Sequence, residues 1–236
     1  MNGKQRIVAA LNLQPVDRTP VWFMRQAGRH LPEYRKIAAE HNFWERCMDV
    51  DLCKTITLQP LERYQKIDAA IIFSDILTPL PSLGYDVEYG GGIRISDFNL
   101  DDVDDWINFS ARKHAPWAAD GLQAVGEEIG DTTARLGFVG SPWTICMYLL
   151  SGGTGDKDFH NARANIYSNP EQAQSMLMKM GEIVGDLLAD QVIHGGADGV
   201  QLFDTWAGLL SPELYRKFAL PATARTIDLF RDKVGR

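Results

Sequence analysis

The sequence is poor in cysteine and has no long apolar run. Its three cysteines, Cys47, Cys53 and Cys146, are too few and too scattered for the disulfide framework of a small secreted protein. No apolar stretch reaches the ~18–20 residues that a membrane-spanning helix requires. The N-terminal segment MNGKQRIVAALNLQPVDR also lacks the apolar region and the cleavage site of a secretion signal. These absences predict a cytoplasmic protein that is not embedded in a membrane.

The sequence has fewer positively charged than negatively charged side chains. The 236 residues include 24 lysines and arginines against 31 aspartates and glutamates, which gives a net charge of −7. A nucleic-acid-binding protein usually carries a basic face, and no Lys/Arg block of that kind occurs, so we expect no nucleic acid partner. The negative charge would also repel a polyanionic ligand at long range. Such a ligand would therefore need a local cationic patch.

The usual motifs of metal and nucleotide sites are absent as well. His41, His114, His160 and His194 show no HxxxH, HxE or cysteine partner at ligand spacing, so we predict no metal site. No glycine-rich phosphate-binding motif opens a helix, and no GxSxG turn marks a nucleophilic serine.

What the sequence does contain is an alternation of short apolar segments with longer helical stretches. The apolar segments are predicted as strands at Pro20–Arg25, Ala69–Ser74, Arg135–Gly140 and Gly199–Asp204. Because strands that are apolar on both faces are typical of a parallel sheet covered by helices, we predict an α/β fold. A (β/α)8 barrel and a doubly wound sheet both fit this pattern. A barrel needs eight strands, so the chain would supply only part of one.

Local signals predict the remaining elements. The glycines of DVEYGGGIRIS predict an inserted β-hairpin. Ser141-Pro142 and Ser211-Pro212 each combine an N-cap residue with proline at the first helical position, and Gly195-Gly196 predicts the end of a helix that begins at Glu171. Further helical stretches are predicted at Glu33–Tyr64, Asp101–Trp106, Ala111–Ile129 and Ala219–Arg231.

Candidate site residues follow each predicted strand. They are Arg25, Gln26, Ala27, Gly28 and Arg29 after the first, Asp75 after the second, Tyr148 two turns beyond the third, and Thr205 after the fourth. Because α/β enzymes bind ligands at the carboxyl ends of their strands, this common position favours a site. Taken singly, each residue type has a plainer explanation: surface ion pairs for the arginines, a helix N-cap for the aspartate and core packing for the tyrosine.

Four motifs carry a family resemblance. They are PVWFMRQAGRHLPEY at Pro20–Tyr34, FSDIL at Phe73–Leu77, GFVGSPWTICMY at Gly137–Tyr148 and LFDTWAG at Leu202–Gly208. In these stretches, in the same order and along the whole chain, the sequence resembles the uroporphyrinogen decarboxylase family. The resemblance implies a TIM barrel and a cofactor-independent carboxy-lyase of porphyrin and haem biosynthesis. It also implies a cytoplasmic homodimer.

The resemblance further implies a substrate and a set of roles. Uroporphyrinogen III would lose CO2 from its four acetate side chains to give coproporphyrinogen III. Asp75 would hold the pyrrole N–H groups and Arg25 would share in catalysis, while the turn Arg25–Arg29 would bind substrate carboxylates. Tyr148 matches the family's active-site tyrosine, and Thr205 matches a position where the family has serine or threonine.

One departure from the family concerns the C-terminal side of the sequence. A histidine that the family uses near its C-terminus has no counterpart here. Together with the strand count, this predicts that residues 1–236 form a single catalytic barrel domain without its C-terminal part. A fragment of that kind need not be active alone, because an unclosed barrel exposes apolar strand faces and edges.

Two other functions stay open at this stage. A corrinoid- or thiol-dependent methyltransferase on a related barrel would bind zinc, and it would not need RQAGR and Asp75 in this arrangement. A non-catalytic barrel fragment that binds a tetrapyrrole or a partner subunit would keep the same site residues. Release of CO2 would separate the decarboxylase from that second alternative.

Overall fold

The computed structural model describes residues 1–235, except for the side chain of Lys157. Its strands are β1 (Ala69–Ile71), β2 (Val87–Tyr89), β3 (Ile93–Ile95), β4 (Ala134–Gly140) and β5 (Gly199–Phe203). Its α-helices are α1 (Gly3–Leu11), α2 (Pro32–Glu40), α3 (Phe43–Met48), α4 (Val50–Arg63), α5 (Pro79–Ser82), α6 (Ala111–His114), α7 (Trp117–Ile129), α8 (Pro142–Leu150), α9 (His160–Ser168), α10 (Pro170–Ile193), α11 (Pro212–Leu214) and α12 (Leu220–Val234). Short 3-10 turns lie at Leu100–Asn108, Lys157–Phe159 and Ala207–Leu209, and a π-helical turn lies at Tyr215–Ala219.

The main sheet has the strand order β1-β4-β5. β1 pairs with β4 in parallel, with Ala69 opposite Ala134 and Ile71 opposite Leu136. β1 is buried along its whole length, and so are most positions of β4. The predicted α/β class with a parallel sheet is therefore confirmed, and three of the four predicted strands are present.

The prediction of a strand at Pro20–Arg25, the first of the four, is wrong, because that segment contains no strand. Both backbone groups of Val21 bond to Asp68 instead. The Val21 N–H donates to the Asp68 carboxylate at 2.8 Å, and the Val21 carbonyl accepts from the Asp68 N–H at 2.7 Å. The side-chain amide of Gln26 then donates to the Ala69 carbonyl at 2.8 Å and accepts from the Ile71 N–H at 3.2 Å. The Gln26 side chain therefore bonds to the edge of β1, and the Pro20–Arg25 segment does not pair with it as a strand.

The local signals of the sequence are confirmed. β2 and β3 form the predicted antiparallel hairpin, and its turn includes Gly91 at φ +70°. The Ser141 side chain accepts from the Thr144 N–H at the start of α8, and α10 is followed by Gly196 at φ +64°. The predicted Glu33–Tyr64 stretch is divided into α2, α3 and α4, because the Asn42 and Asp49 side chains each cap a new helix.

The described residues divide into two compact units. The first unit comprises Met1–Asp75, Pro116–Phe138 and Asp190–Gln201, and the second unit comprises the described residues of Ile76–Ala115, Val139–Ala189 and Leu202–Arg236. In the first unit, Gly121 on α7 lets that helix approach α4, since a Cβ at Gly121 would lie 2.9 Å from the Cys53 Sγ. In the second unit, a Cβ at Gly181 on α10 would lie 2.7 Å from the Ala222 carbonyl oxygen of α12. Small residues thus allow close helix packing in each core.

A network of ion pairs in the first unit binds α1 to the beginnings of β1 and β5. Arg6 on α1 pairs with Asp68, which precedes β1, at 2.5 Å, and Lys4 pairs with Asp198, which precedes β5, at 3.2 Å. Arg18 adds a second guanidinium to the Asp68 carboxylate, with N···O distances of 2.8 Å. Asp68 and Arg6 are both buried, at 2% and 5% exposure. Each charge is therefore buried together with a partner, as charges in a protein interior need to be.

We predict that Asp68→Asn lowers the free energy of unfolding by about 3 kcal/mol at pH 7, because it leaves the buried Arg6 without one of its carboxylates. Burial alone would raise the pKa of Asp68, but hydrogen bonds from Arg18, the Val21 N–H and Arg6 outweigh burial and lower it. A carboxylate with a lowered pKa stabilises the fold above the unfolded-state pKa of about 4 and ceases to do so as the pH falls. Urea unfolding should therefore show the difference between wild type and variant shrinking from pH 7 to pH 3.

The matched control is Asp131→Asn. Asp131 also pairs with a cation of α1, Lys4, at 2.8 Å, but its side chain is 92% exposed. Exposed ion pairs contribute little, so this variant should unfold like the wild type. Equal stability losses for the two variants would contradict the central role assigned to Asp68.

Candidate active site

The turn Arg25–Arg29 alternates anchored and exposed side chains. Gln26 is 2% exposed and is held by its two hydrogen bonds to β1, and Ala27 packs against the buried cluster of Leu31, Tyr34 and Ile56. Arg25 and Arg29 are exposed, and neither guanidinium forms an ion pair with a described residue. The turn therefore holds two guanidiniums at the surface on a fixed backbone, which suits binding of carboxylates.

The backbone of this turn is fixed on its C-terminal side as well. Gly28 has φ +151°, a conformation that favours glycine, and its carbonyl accepts from the Leu31 N–H at 2.9 Å. The Arg35 guanidinium of α2 donates to the Arg29 carbonyl at 3.0 Å. Since α2 begins at Pro32, the turn leads directly into a helix that holds its end in place.

Asp75 lies four residues beyond the end of β1, and the chain between them is held by α4. The Phe73 N–H donates to the Thr57 hydroxyl at 2.9 Å, and the Phe73 carbonyl accepts from the Cys53 thiol at 3.2 Å. Asp75 is partly exposed, and Thr78, not Asp75, is the N-cap residue of α5. Burial raises the pKa of the Cys47 thiol on α3, and the Cys53 thiol and the charge of Asp75 act in the same direction.

In the second unit, Tyr148 is a buried residue of α8 with aromatic neighbours. Its ring makes edge contacts with Phe159 at 5.5 Å and with Trp206 at 5.9 Å between centroids, and Phe159 and Trp206 contact each other at 4.7 Å. Tyr148 is 7% exposed. The core-packing explanation of this tyrosine therefore describes its ring correctly, and the ring contacts fix the side chain.

Thr205 lies in the loop that follows β5. Its two neighbours, Asp204 and Trp206, are hydrogen-bonded to residues at the start of α8. The Asp204 Oδ1 accepts from the Ser141 hydroxyl at 2.6 Å and from the Thr144 hydroxyl at 3.0 Å. The Trp206 N–H donates to the Thr144 Oγ1 at 3.2 Å. Thr205 itself is exposed, and its hydroxyl has no hydrogen-bond partner among the described residues.

This network is a feature that sequence reasoning missed. The sequence places an N-cap serine at position 141 and an aspartate at the end of a strand, but nothing in their spacing predicts that they bond to each other. The result is that one helix, α8, carries Tyr148 and also positions the loop of Thr205.

The predicted site residues therefore fall into two sets. The turn Arg25–Arg29 and Asp75 belong to the first unit, and Tyr148 and Thr205 belong to the second. Within residues 1–235 there is no group of three or more histidine, cysteine or acidic side chains that could hold a metal ion. In the same described part of the chain, no helix has the length and apolar character needed to cross a bilayer.

Comparison with known proteins gives a consistent result along the chain. A family model described as uroporphyrinogen decarboxylase matches residues 2–235. The uroporphyrinogen decarboxylase of Pseudomonas aeruginosa (strain LESB58) is 40% identical over 237 residues, and that of Chromohalobacter salexigens is 42% identical over 238. Each alignment covers 98% of this chain and 66% of the relative, so the chain spans 66% of the length of these relatives.

A solved structure shares the fold at lower sequence identity. A methyltransferase from Methanosarcina mazei superimposes with a TM-score of 0.76 at 16% identity, covering 98% of this chain and 67% of that protein. At this identity the likeness concerns the fold alone, since one fold hosts many functions.

We predict that Gln26→Met lowers the free energy of unfolding by about 2 kcal/mol, because it leaves the buried Ala69 carbonyl and Ile71 N–H without partners while keeping the side-chain length. Urea unfolding measures the loss. Gln65→Met is the control, since Gln65 is exposed in the same unit and should tolerate the change. A Gln26 variant as stable as the control would show that the side-chain amide does not hold the turn.

Proposed function

The chain belongs to the uroporphyrinogen decarboxylase family, and from that premise we propose that it removes CO2 from the four acetate side chains of uroporphyrinogen III to give coproporphyrinogen III. The observation that carries the proposal is the turn Arg25–Arg29, which presents two unpaired guanidiniums on a backbone anchored to β1. The substrate is a polyanion and the chain has a net charge of −7, so binding needs a local cationic patch of this kind.

The architecture proposed for this reaction is a (β/α)8 TIM barrel, with residues 1–236 forming one catalytic domain that supplies part of the barrel. The alternation of strands and helices, the parallel pairing of β1 with β4 and the fold shared with the methyltransferase support it. Three strands of the parallel sheet lie within residues 1–235, against the eight of a closed barrel.

Substrate recognition is assigned to the predicted site residues. Arg25 and Arg29 bind carboxylates through paired N–H···O bonds. Gln26, Ala27 and Gly28 hold the backbone between the two arginines in place. In the second unit, Tyr148 and Thr205 contribute hydroxyl groups for hydrogen bonds to substrate carboxylates.

The chemistry follows from where electrons go when CO2 leaves. Breaking the bond between the acetate methylene and its carboxylate leaves an electron pair on carbon, and a neutral pyrrole cannot accept it. Protonation of the ring carbon beside the acetate makes a cation that can accept the pair, and a proton added to the methylene carbon with loss of the ring proton then gives the methyl product. The Asp75 carboxylate accepts hydrogen bonds from the pyrrole N–H groups and stabilises the positive charge that develops on the ring.

Further assignments rest on the family. Because the protonated pyrrole itself accepts the electrons, the reaction needs no cofactor. Arg25 takes part in delivering the proton, a role secondary to binding because a guanidinium is a very weak acid. We also propose that the protein is cytoplasmic and that it forms a homodimer.

Anaerobic incubation with uroporphyrinogen III tests the proposal, with products separated by the number of their carboxylates. We predict products that carry seven to four carboxylates. Asp75→Asn should reduce turnover about 100-fold or more, because the amide cannot stabilise the developing cation. Asp51→Asn is the control, since Asp51 is a 90% exposed carboxylate of the same unit whose ion-pair partner among the described residues is Lys54, at 3.3 Å.

Two outcomes would contradict this assignment. Full turnover by Asp75→Asn would show that the reaction does not need the Asp75 carboxylate. Binding of the substrate without release of CO2 would instead indicate that the chain is a tetrapyrrole-binding protein.

A further inference from the structure

Arg46 on α3 is a buried cation that the proposed mechanism does not use. It is 8% exposed, and no carboxylate of a described residue lies within ion-pair distance of it. Its Nε donates to the Asn42 carbonyl at 3.0 Å, and its Nη1 donates to the Tyr34 hydroxyl. A buried charge is costly unless it is paired, so an arginine in this position calls for an anion.

Aromatic rings contact the guanidinium but leave N–H groups unused. The Arg46 guanidinium carbon lies 5.1 Å from the ring centroid of Tyr34, 5.7 Å from that of Phe43 and 6.0 Å from that of Phe73. Such contacts stabilise a cation through the faces of the rings. A guanidinium also has five N–H donors, and the acceptors of Arg46 are one carbonyl and one hydroxyl. Nη2 has no acceptor among the described residues. It retains some access to solvent.

The contacts of Arg46 connect it to both parts of the site in the first unit. Phe73 lies two residues before Asp75, and its ring contacts Tyr34 at 5.7 Å between centroids. Tyr34 in turn belongs to the buried cluster against which Ala27 of the Arg25–Arg29 turn packs. Arg46 therefore lies beside the strand end that leads to Asp75 and beside the packing that supports the turn.

We propose that Arg46 is a third carboxylate-binding cation of the substrate site, and that the unused edge of its guanidinium binds one carboxylate of the tetrapyrrole. This inference rests on the proposed function. A planar guanidinium edge matches the two oxygens of a carboxylate, and the three aromatic rings around Arg46 limit the access of water and so strengthen the bond. A substrate with many carboxylates also needs more cations than the two of the Arg25–Arg29 turn.

Binding of uroporphyrin, the stable oxidised form of the proposed substrate, tests this inference by calorimetry on the full chain. Arg46→Met fills the aromatic surroundings with an apolar side chain and removes the charge. We expect it to weaken binding at least about tenfold, which corresponds to a lost charge-assisted hydrogen bond. It should also reduce the salt dependence of the affinity, because one charged contact has gone. Arg46→Lys should show an intermediate loss, because lysine keeps the charge without the planar fork.

The control variant is Arg63→Met, in which an exposed arginine of the same unit loses only its pairing with Glu33 at 2.9 Å. It should bind uroporphyrin like the wild type. Thermal unfolding of each variant separates a loss of binding from a loss of folding. If Arg46→Met does not fold, Arg46→Lys decides, and wild-type affinity in that variant would overturn the proposal.

The outcomes also separate this inference from the proposed function. A folded Arg46→Met that binds as tightly as the wild type, with the same salt dependence, would make Arg46 a packing residue and leave the decarboxylase assignment intact. A wild-type chain that binds neither uroporphyrin nor, under anaerobic conditions, uroporphyrinogen III would overturn the proposed function and this inference together.

Discussion

The first unit depends on the hydrogen bonds and ion pairs that the Asp68 carboxylate accepts. It accepts from Arg6 on α1, from Arg18 and from the N–H of Val21, and it stands directly before β1. One side chain therefore fixes both the segment that leads into the Arg25–Arg29 turn and the strand that leads toward Asp75. A displacement at Asp68 would be transmitted to both.

The sequence predicted those elements whose signals are local. The Ser141-Pro142 and Ser211-Pro212 caps, the glycine turn of the hairpin and the strands β1, β4 and β5 follow from residue type and spacing alone. Of these strands, β1 and most of β4 are buried, whereas β5 is only partly buried. The Pro20–Arg25 segment was mispredicted because its apolar residues suggested a buried strand, whereas Val21, Phe23 and Met24 are exposed in the structure. Within this segment the Val21 N–H donates to the Asp68 carboxylate, and the edge of β1 bonds to the Gln26 amide. Both partners belong to side chains that no periodicity reveals.

The candidate site residues stay predictions, and the contacts that hold them in place come from the structure. Predicted strand ends, and then the family motifs, led to Arg25, Arg29 and Asp75 as candidates, although the strand predicted before Arg25 is not present. The contacts that hold them were not predictable. Asp204 binding Ser141 and Thr144 joins residues about sixty positions apart, and Arg46 stands out only once Tyr34, Phe43 and Phe73 are seen around it.

The side chain of Gln26 has a consequence for how the chain behaves among its own copies. An exposed strand edge offers unpaired backbone groups to any other strand, which is a common route to aggregation. Along β1, the carbonyl of Ala69 and the N–H of Ile71 are already occupied by an amide from the same chain. A foreign strand would have to displace that amide before it could pair. The side chain that anchors the Arg25–Arg29 turn thus also occupies the backbone groups through which β1 could pair with a foreign strand.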